Sequence, residues 1–303
     1  MATAANRGNS SDPPDGSITP ERTTSLLPTL PQHVGLPGRT LSSDAPIEAR
    51  GDAFTPAAIR QRDAQLREHL ITALVDRSSY AQNEILYKPA NAIRPTATQQ
   101  GLELPPGIAN DASFMEFFLH ETEKLRSLMY FYAAAEHQPF TDKLPQPVFP
   151  LPNRPEVLRS NTINITGRVK SVYVSRIIPA ICRQQDGLGG SDGEFGGSIR
   201  KDIQCLQGIS AYVHHAKFAA EMLFAHNTEK LSVMIRQGDA GKILEGIVGD
   251  GEEYKQELAI VQEKVMSYLS AGPDRDRRNI AEIIMKMFSD YVVPLKRQVQ
   301  VRP

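Results

Sequence analysis

The stretch from Phe195 to Phe224, FGGSIRKDIQCLQGISAYVHHAKFAAEMLF, constrains the fold of this chain more than any other. Apolar residues recur at Ile203, Leu206, Ile209, Val213, Ala216, Ala220 and Leu223, close to the period of an α-helix. No proline interrupts the run after Gly197. At ~1.5 Å per residue, a helix from Asp202 to Leu223 spans roughly 33 Å, the diameter of a small domain. A helix that long and that apolar has to be the central packing element of an all-helical domain.

The rest of the chain agrees with an all-α fold. Thr55-Pro56 reads as an N-cap followed by proline at the first helical position, opening a helix to about Ser78 with Ile59, Leu66, Leu70, Ala73 and Leu74 inward. Tyr80 to Gly107 carries four prolines and reads as an ordered loop. Ser113-Phe114-Met115-Glu116 is a capping box for a helix to about Glu136. A proline-rich connector, Pro139 to Pro155, leads to a helix over Asn161 to Arg183 that Pro179 kinks or breaks. Beyond Phe224 the pattern predicts helices over Thr228 to Gln237, Ala240 to Val248, Glu252 to Ser270 and Asn279 to Gln300, the last kinked at Pro294. Residues 1 to 50 are rich in Pro, Ser, Thr and Gly and read as a disordered tail. Residues 51 to 303 read as one helical domain.

Composition narrows the function classes. A net charge of -1 gives no electrostatic reason for a nucleic-acid partner. No apolar run is long enough to span a bilayer, and the N-terminus lacks the apolar centre of a secretory signal. The two cysteines, Cys182 and Cys205, sit in apolar helical patterns and read as buried free thiols in the cytosol. The glycine-rich GLGGSDGEFGG before the long helix lacks both a preceding strand and a P-loop Lys-Ser/Thr. His214 and His215 are adjacent, so they point about 100° apart and do not share one metal. Tyr212 and Leu223, on an apolar helix, read by themselves as core residues.

The long helix also resembles the signature helix of the fungal and plant all-helical chorismate mutases. The matching residues are Phe195 and Gly196, Asp202-Ile203, Cys205-Leu206-Gln207, Ser210, His214, Lys217-Phe218, Ala220-Glu221 and Phe224. Ile177-Ile178-Pro179 and Glu121-Thr122-Glu123-Lys124-Leu125 fit as well, and the resemblance runs from about Ala58 to Val301. It implies an isomerase that converts chorismate to prephenate in the aromatic amino acid pathway by a pericyclic step. Such a step needs no nucleophile, metal or cofactor. It needs cations for two carboxylates and a donor for the ether oxygen. The resemblance also implies a homodimer.

Carried over residue by residue, the family's first-helix arginine falls on Arg60 and its glutamate on Glu253. Other positions differ. The family's arginine two residues before His214 is Tyr212 here, its lysine before Phe224 is Leu223, and its asparagine is Gly249. A family threonine falls on Lys296, and the fungal acidic residue on the ether oxygen falls on Gln300, a neutral donor. The resemblance thus implies Arg60, Glu253, Lys296 and Gln300 as catalytic residues, with Arg60, Tyr212, Leu223 and Gly249 lining the substrate site. The family's paired effector-site arginines fall on Tyr130 and Phe131. Three readings stay open: a chorismate mutase with a rearranged cation set, an enzyme for a less anionic substrate, and a non-catalytic homologue with a binding or regulatory role.

Overall fold

The computed structural model describes residues 55–101, 103–133, 136–149, 163–182, 190–226, 229, 232–233, 236–237, 252–269 and 274–300. Within them, the side chains of 133, 223–226, 252–254 and 274–277 are left undescribed. The expected tail and the helix over Ala240 to Val248 lie outside the described residues, as does most of the helix over Thr228 to Gln237. The described residues are helical, and their only β-type pairing is an isolated bridge between Pro89 and Ser113.

In chain order the helices are α1 (Pro56–Ser78), α2 (Ala90–Gln99), α3 (Phe114–Leu128), α4 (Thr166–Val172), α5 (Ile178–Cys182), α6 (Phe195–His226), α7 (Glu252–Tyr268), α8 (Asp274–Met287) and α9 (Val293–Gln300). α1 starts as the sequence predicts: Thr55 Oγ1 accepts the Ala58 amide at 3.1 Å, with proline in the first turn. The Ser113–Glu116 capping box opens α3. α3 stops at Leu128, eight residues short of the expected Glu136, because Tyr130 takes a left-handed φ of 59° that ends the helical path. The expected loop from Tyr80 to Gly107 contains α2, held by buried Ala90, Ile93 and Ala97 on one face despite Pro95. The last helical stretch starts at Asp274, ahead of the expected Asn279.

α6 is the axis. Ile203, Leu206, Ile209, Val213, Ala216 and Ala220 are buried, as their spacing predicts, but so are Ala211, Tyr212, His214 and His215. The helix is enclosed all round at its middle, which places it inside the bundle rather than on it. α1 crosses it closely at Gly208, where a Cβ would already lie 3.4 Å from Leu70 Cδ1. α9 packs along α6, and α7 and α8 pack on α1.

Pro179 and Pro294 do not break their helices. Each follows a π-helical turn, Tyr173–Ile177 and Phe288–Val292. The Ile178 amide bonds the Tyr173 carbonyl and the Val293 amide bonds the Phe288 carbonyl, both five residues back. Widening the helix just ahead of each proline relieves the clash of its ring with the carbonyl four residues earlier. Phe288 and Val292 are buried, so the second π turn is anchored in the core and sets the rotation of α9. That rotation decides which α9 side chains face α6.

At the far end of α1, Arg77 and Asp202 form a fully buried ion pair at 2.6 Å. Asp202 also accepts hydrogen bonds from Tyr87 at 2.6 Å and Tyr173 at 2.9 Å. Burial alone would lower the Arg77 pKa, but the Asp202 carboxylate overrides it and raises it. Cys182 and Cys205 are free and buried, and burial pushes the Cys182 thiol up to about 11. The two thiols and the ion pair serve the packing of this end.

Candidate active site

Tyr212 is the residue around which the site assembles. It sits at the middle of α6 with no solvent exposure. Its ring lies edge-on to Phe288 at 6.2 Å, so the π turn before α9 supports it. A buried phenol needs a polar partner, and here it has two. Tyr212 donates to Glu257 Oε1 on α7 and accepts from Lys296 Nζ on α9 at 2.8 Å. Burial first, then the carboxylates of Asp63 and Glu257, holds the Tyr212 pKa well above the usual phenol value, so it stays a neutral donor.

Lys296 is the cation of the site. Its ammonium lies 2.8 Å from Asp63 Oδ1 on α1 and 3.4 Å from Glu257 Oε1, and 4.1 Å above the centre of the Tyr212 ring. The last contact adds a cation–π attraction. Arg67, one turn along α1, lies 3.7 Å from Asp63. Four helices thus contribute to one polar cluster between α1, α6, α7 and α9. Its cations, phenol and carboxylates can bind and orient an ionic ligand.

The sequence-predicted residues distribute unevenly around this cluster. Lys296 and Tyr212 are brought together. Arg60, one turn before Asp63 on α1, is exposed and makes no hydrogen bond or ion pair among the described residues. Gln300 lies one turn after Lys296 on α9 and is half-buried. Glu253 lies on α7 one turn before Glu257, and Leu223 lies near the end of α6; the side chains of both are outside the described residues, as is Gly249. Asp63 and Glu257 were missed by sequence reasoning. The available signal was helical spacing, since Asp63 is three residues after Arg60 and Glu257 four after Glu253.

The neighbouring histidines are structural. His214 Nε2 accepts the Ile165 amide at 3.2 Å, so the ring proton sits on Nδ1, which donates to the Ser210 carbonyl at 2.8 Å. His215 bonds the Ile59 carbonyl at 3.2 Å through Nε2. Burial lowers both pKa values, which keeps both rings neutral beside the cation.

The chorismate mutase of Schizosaccharomyces pombe is 31% identical over 250 residues, covering 81% of this chain and 91% of that protein. The chain belongs to the chorismate mutase family. The Emericella nidulans chorismate mutase is 29% identical over 255 residues, with 82% of this chain and 91% of that protein covered. Among solved structures, a Candida albicans chorismate mutase in complex with L-Trp superposes with a TM-score of 0.69 at 25% identity, over 82% of this chain and 90% of that one. The chloroplast chorismate mutase of Zea mays shares the fold, with a TM-score of 0.66 at 23% identity. No family model matches the sequence. Phe131 is one of the two positions onto which the resemblance carries the family's effector-site arginines. Phe131 stacks on His137 at 4.3 Å and lies under the Arg126 guanidinium at 4.7 Å.

Proposed function

We propose that this chain is an isomerase that rearranges chorismate to prephenate in the site between α1, α6, α7 and α9. The ether C–O bond breaks as a C–C bond forms from the enolpyruvyl group to the ring, so no atom is gained or lost. The observation that carries the reading is Lys296 Nζ at 2.8 Å from Tyr212 Oη. Tyr212 stands where the resemblance puts a cation on α6, and α9 brings Lys296 against its hydroxyl. The site is therefore a divergent version of the family's. Lys296 binds one substrate carboxylate and Arg60 the other. Gln300 donates to the ether oxygen, and Tyr212 adds a neutral donor. The resemblance assigns Glu253, Leu223 and Gly249 to the same site. Holding a compact conformer beside preorganised donors is all that a pericyclic step requires. Neither a changed substrate nor a lost activity is favoured by relatives that are named chorismate mutases in both fungi and plants.

Two further features of this reading concern assembly and place. The protein forms a homodimer through α3. Phe118 and Leu125 on that helix and Met129 at its C-cap have 48%, 68% and 65% of their surface exposed, and Val148 and Phe149, on the segment bonded to the Leu128 carbonyl, are exposed as well. An exposed apolar patch of this kind marks a contact surface. The protein works in the cytosol, in keeping with its two free buried thiols. A Zea mays relative, 24% identical, is named a cytosolic chorismate mutase. No helix among the described residues is long and apolar enough to cross a membrane.

Lys296→Ala tests the assignment of the cation. Removing one charge-assisted contact worth roughly 1.5–3 kcal/mol lowers kcat/KM for chorismate by one to two orders of magnitude. Unchanged turnover would exclude Lys296 as the carboxylate's partner.

A further inference from the structure

We infer that Asp63 is a specificity-determining residue that competes with the substrate's carboxylate for Lys296, and so sets how tightly the site takes a dianion. This rests on the proposed function and deepens it.

An ammonium group has three hydrogens to donate. Lys296 donates to Tyr212 Oη at 2.8 Å and Glu257 Oε1 at 3.4 Å, and forms an ion pair with Asp63 Oδ1 at 2.8 Å. Three oxygens already lie within 3.4 Å of the ammonium, so an incoming carboxylate has to displace one of them. Tyr212 is fully buried and fixed by the ring packing on Phe288. Glu257 accepts the Tyr212 phenol, and withdrawing it would leave a buried hydroxyl without an acceptor. Asp63 has a second cation within reach among the described residues. Arg67 lies 3.7 Å away on the next turn of α1. Asp63 can turn onto Arg67 while the substrate's carboxylate takes its place on Lys296. It therefore acts as an internal stand-in for that carboxylate.

The charge balance points the same way. Lys296 and Arg67 face Asp63 and Glu257, so this cluster carries no net charge toward a dianionic ligand. Neutralising Asp63 leaves one net positive charge and removes the carboxylate that pairs with Lys296. Both changes favour a second anion.

The experiment uses the full chain. Asp63→Asn, Asp63→Ser and the charge-retaining Asp63→Glu are compared with wild type, with thermal melts to verify folding. A transition-state-like bicyclic diacid is titrated calorimetrically for Kd, and chorismate turnover gives KM. The inference predicts that Asp63→Asn and Asp63→Ser lower both Kd and KM about tenfold. Asp63→Glu, which keeps the charge, tightens binding less than either neutral variant. Equal or weaker binding in both neutral variants overturns it. The calorimetric Kd separates the two claims. Tighter diacid binding without turnover in any variant refutes the function and keeps the role of Asp63. Turnover with no tightening does the reverse. No binding by any variant overturns both.

Discussion

Replacing Asp202 with asparagine tests the account of how the far end of the bundle is held. The side chain keeps its shape and loses its charge. Arg77, whose side chain has no solvent exposure, then keeps a guanidinium with no counter-ion. Its remaining acceptors are the carbonyls of Tyr80, Ala81 and Gln82 and the Tyr87 hydroxyl, all neutral. Tyr87 and Tyr173 also donate to Asp202, and an amide cannot accept from Arg77 and both phenols through one oxygen. Breaking a buried ion pair by removing one partner costs about 3–5 kcal/mol. For a chain of this size each kcal/mol moves Tm by about 2–4 °C. Asp202→Asn should therefore lower Tm by roughly 6–20 °C. The assay is a thermal melt at fixed protein concentration, because association adds to apparent stability. Tyr173→Phe removes a single hydrogen bond to the same carboxylate and should cost less, about 1.5–3 kcal/mol. An Asp202→Asn shift below that of Tyr173→Phe would refute the reasoning, since the charge would then contribute nothing that the hydroxyl does not.

Further outcomes follow from the same structure. Because burial depresses the folded pKa of His214 and His215, the unfolded chain takes up protons first; their contribution is present above about pH 6.5 and is lost as pH falls below it. Tm should drop between pH 7.5 and 5, and His214→Gln should lower Tm at pH 7.5 while flattening that slope; a Tm that rises on acidification contradicts this. Leu125→Glu with Met129→Glu should turn a dimer into a monomer by sedimentation, and a dimer of undiminished affinity would place the interface elsewhere.

How far the sequence could be read depended on whether a feature was local. α1 and α6 were legible because an N-cap, a proline and a helical period all act within one element. α2 was not, because Pro89 and Pro95 read as loop punctuation; only Ala90, Ile93 and Ala97 betrayed the face it buries. Pro179 signalled a kink or break and Pro294 a kink, yet a one-residue widening ahead of each absorbs the clash and keeps the helix running. At the site, Tyr212 and Lys296 could be named, but not their meeting. That depends on α9 being rotated by the Phe288–Val292 turn, a property of packing across 84 residues of chain. Asp63 and Glu257 stayed hidden because a carboxylate on an amphipathic helix looks like a solvated one until the facing helix brings a cation.

The most direct test of the central claim is chorismate consumption by the purified full chain, with prephenate identified as product. The account predicts turnover that saturates with chorismate and falls at least tenfold in kcat/KM when Lys296 becomes alanine. Folded protein that forms no prephenate at any chorismate concentration would contradict it, and would mean that a cation carried on α9 does not replace one carried on α6.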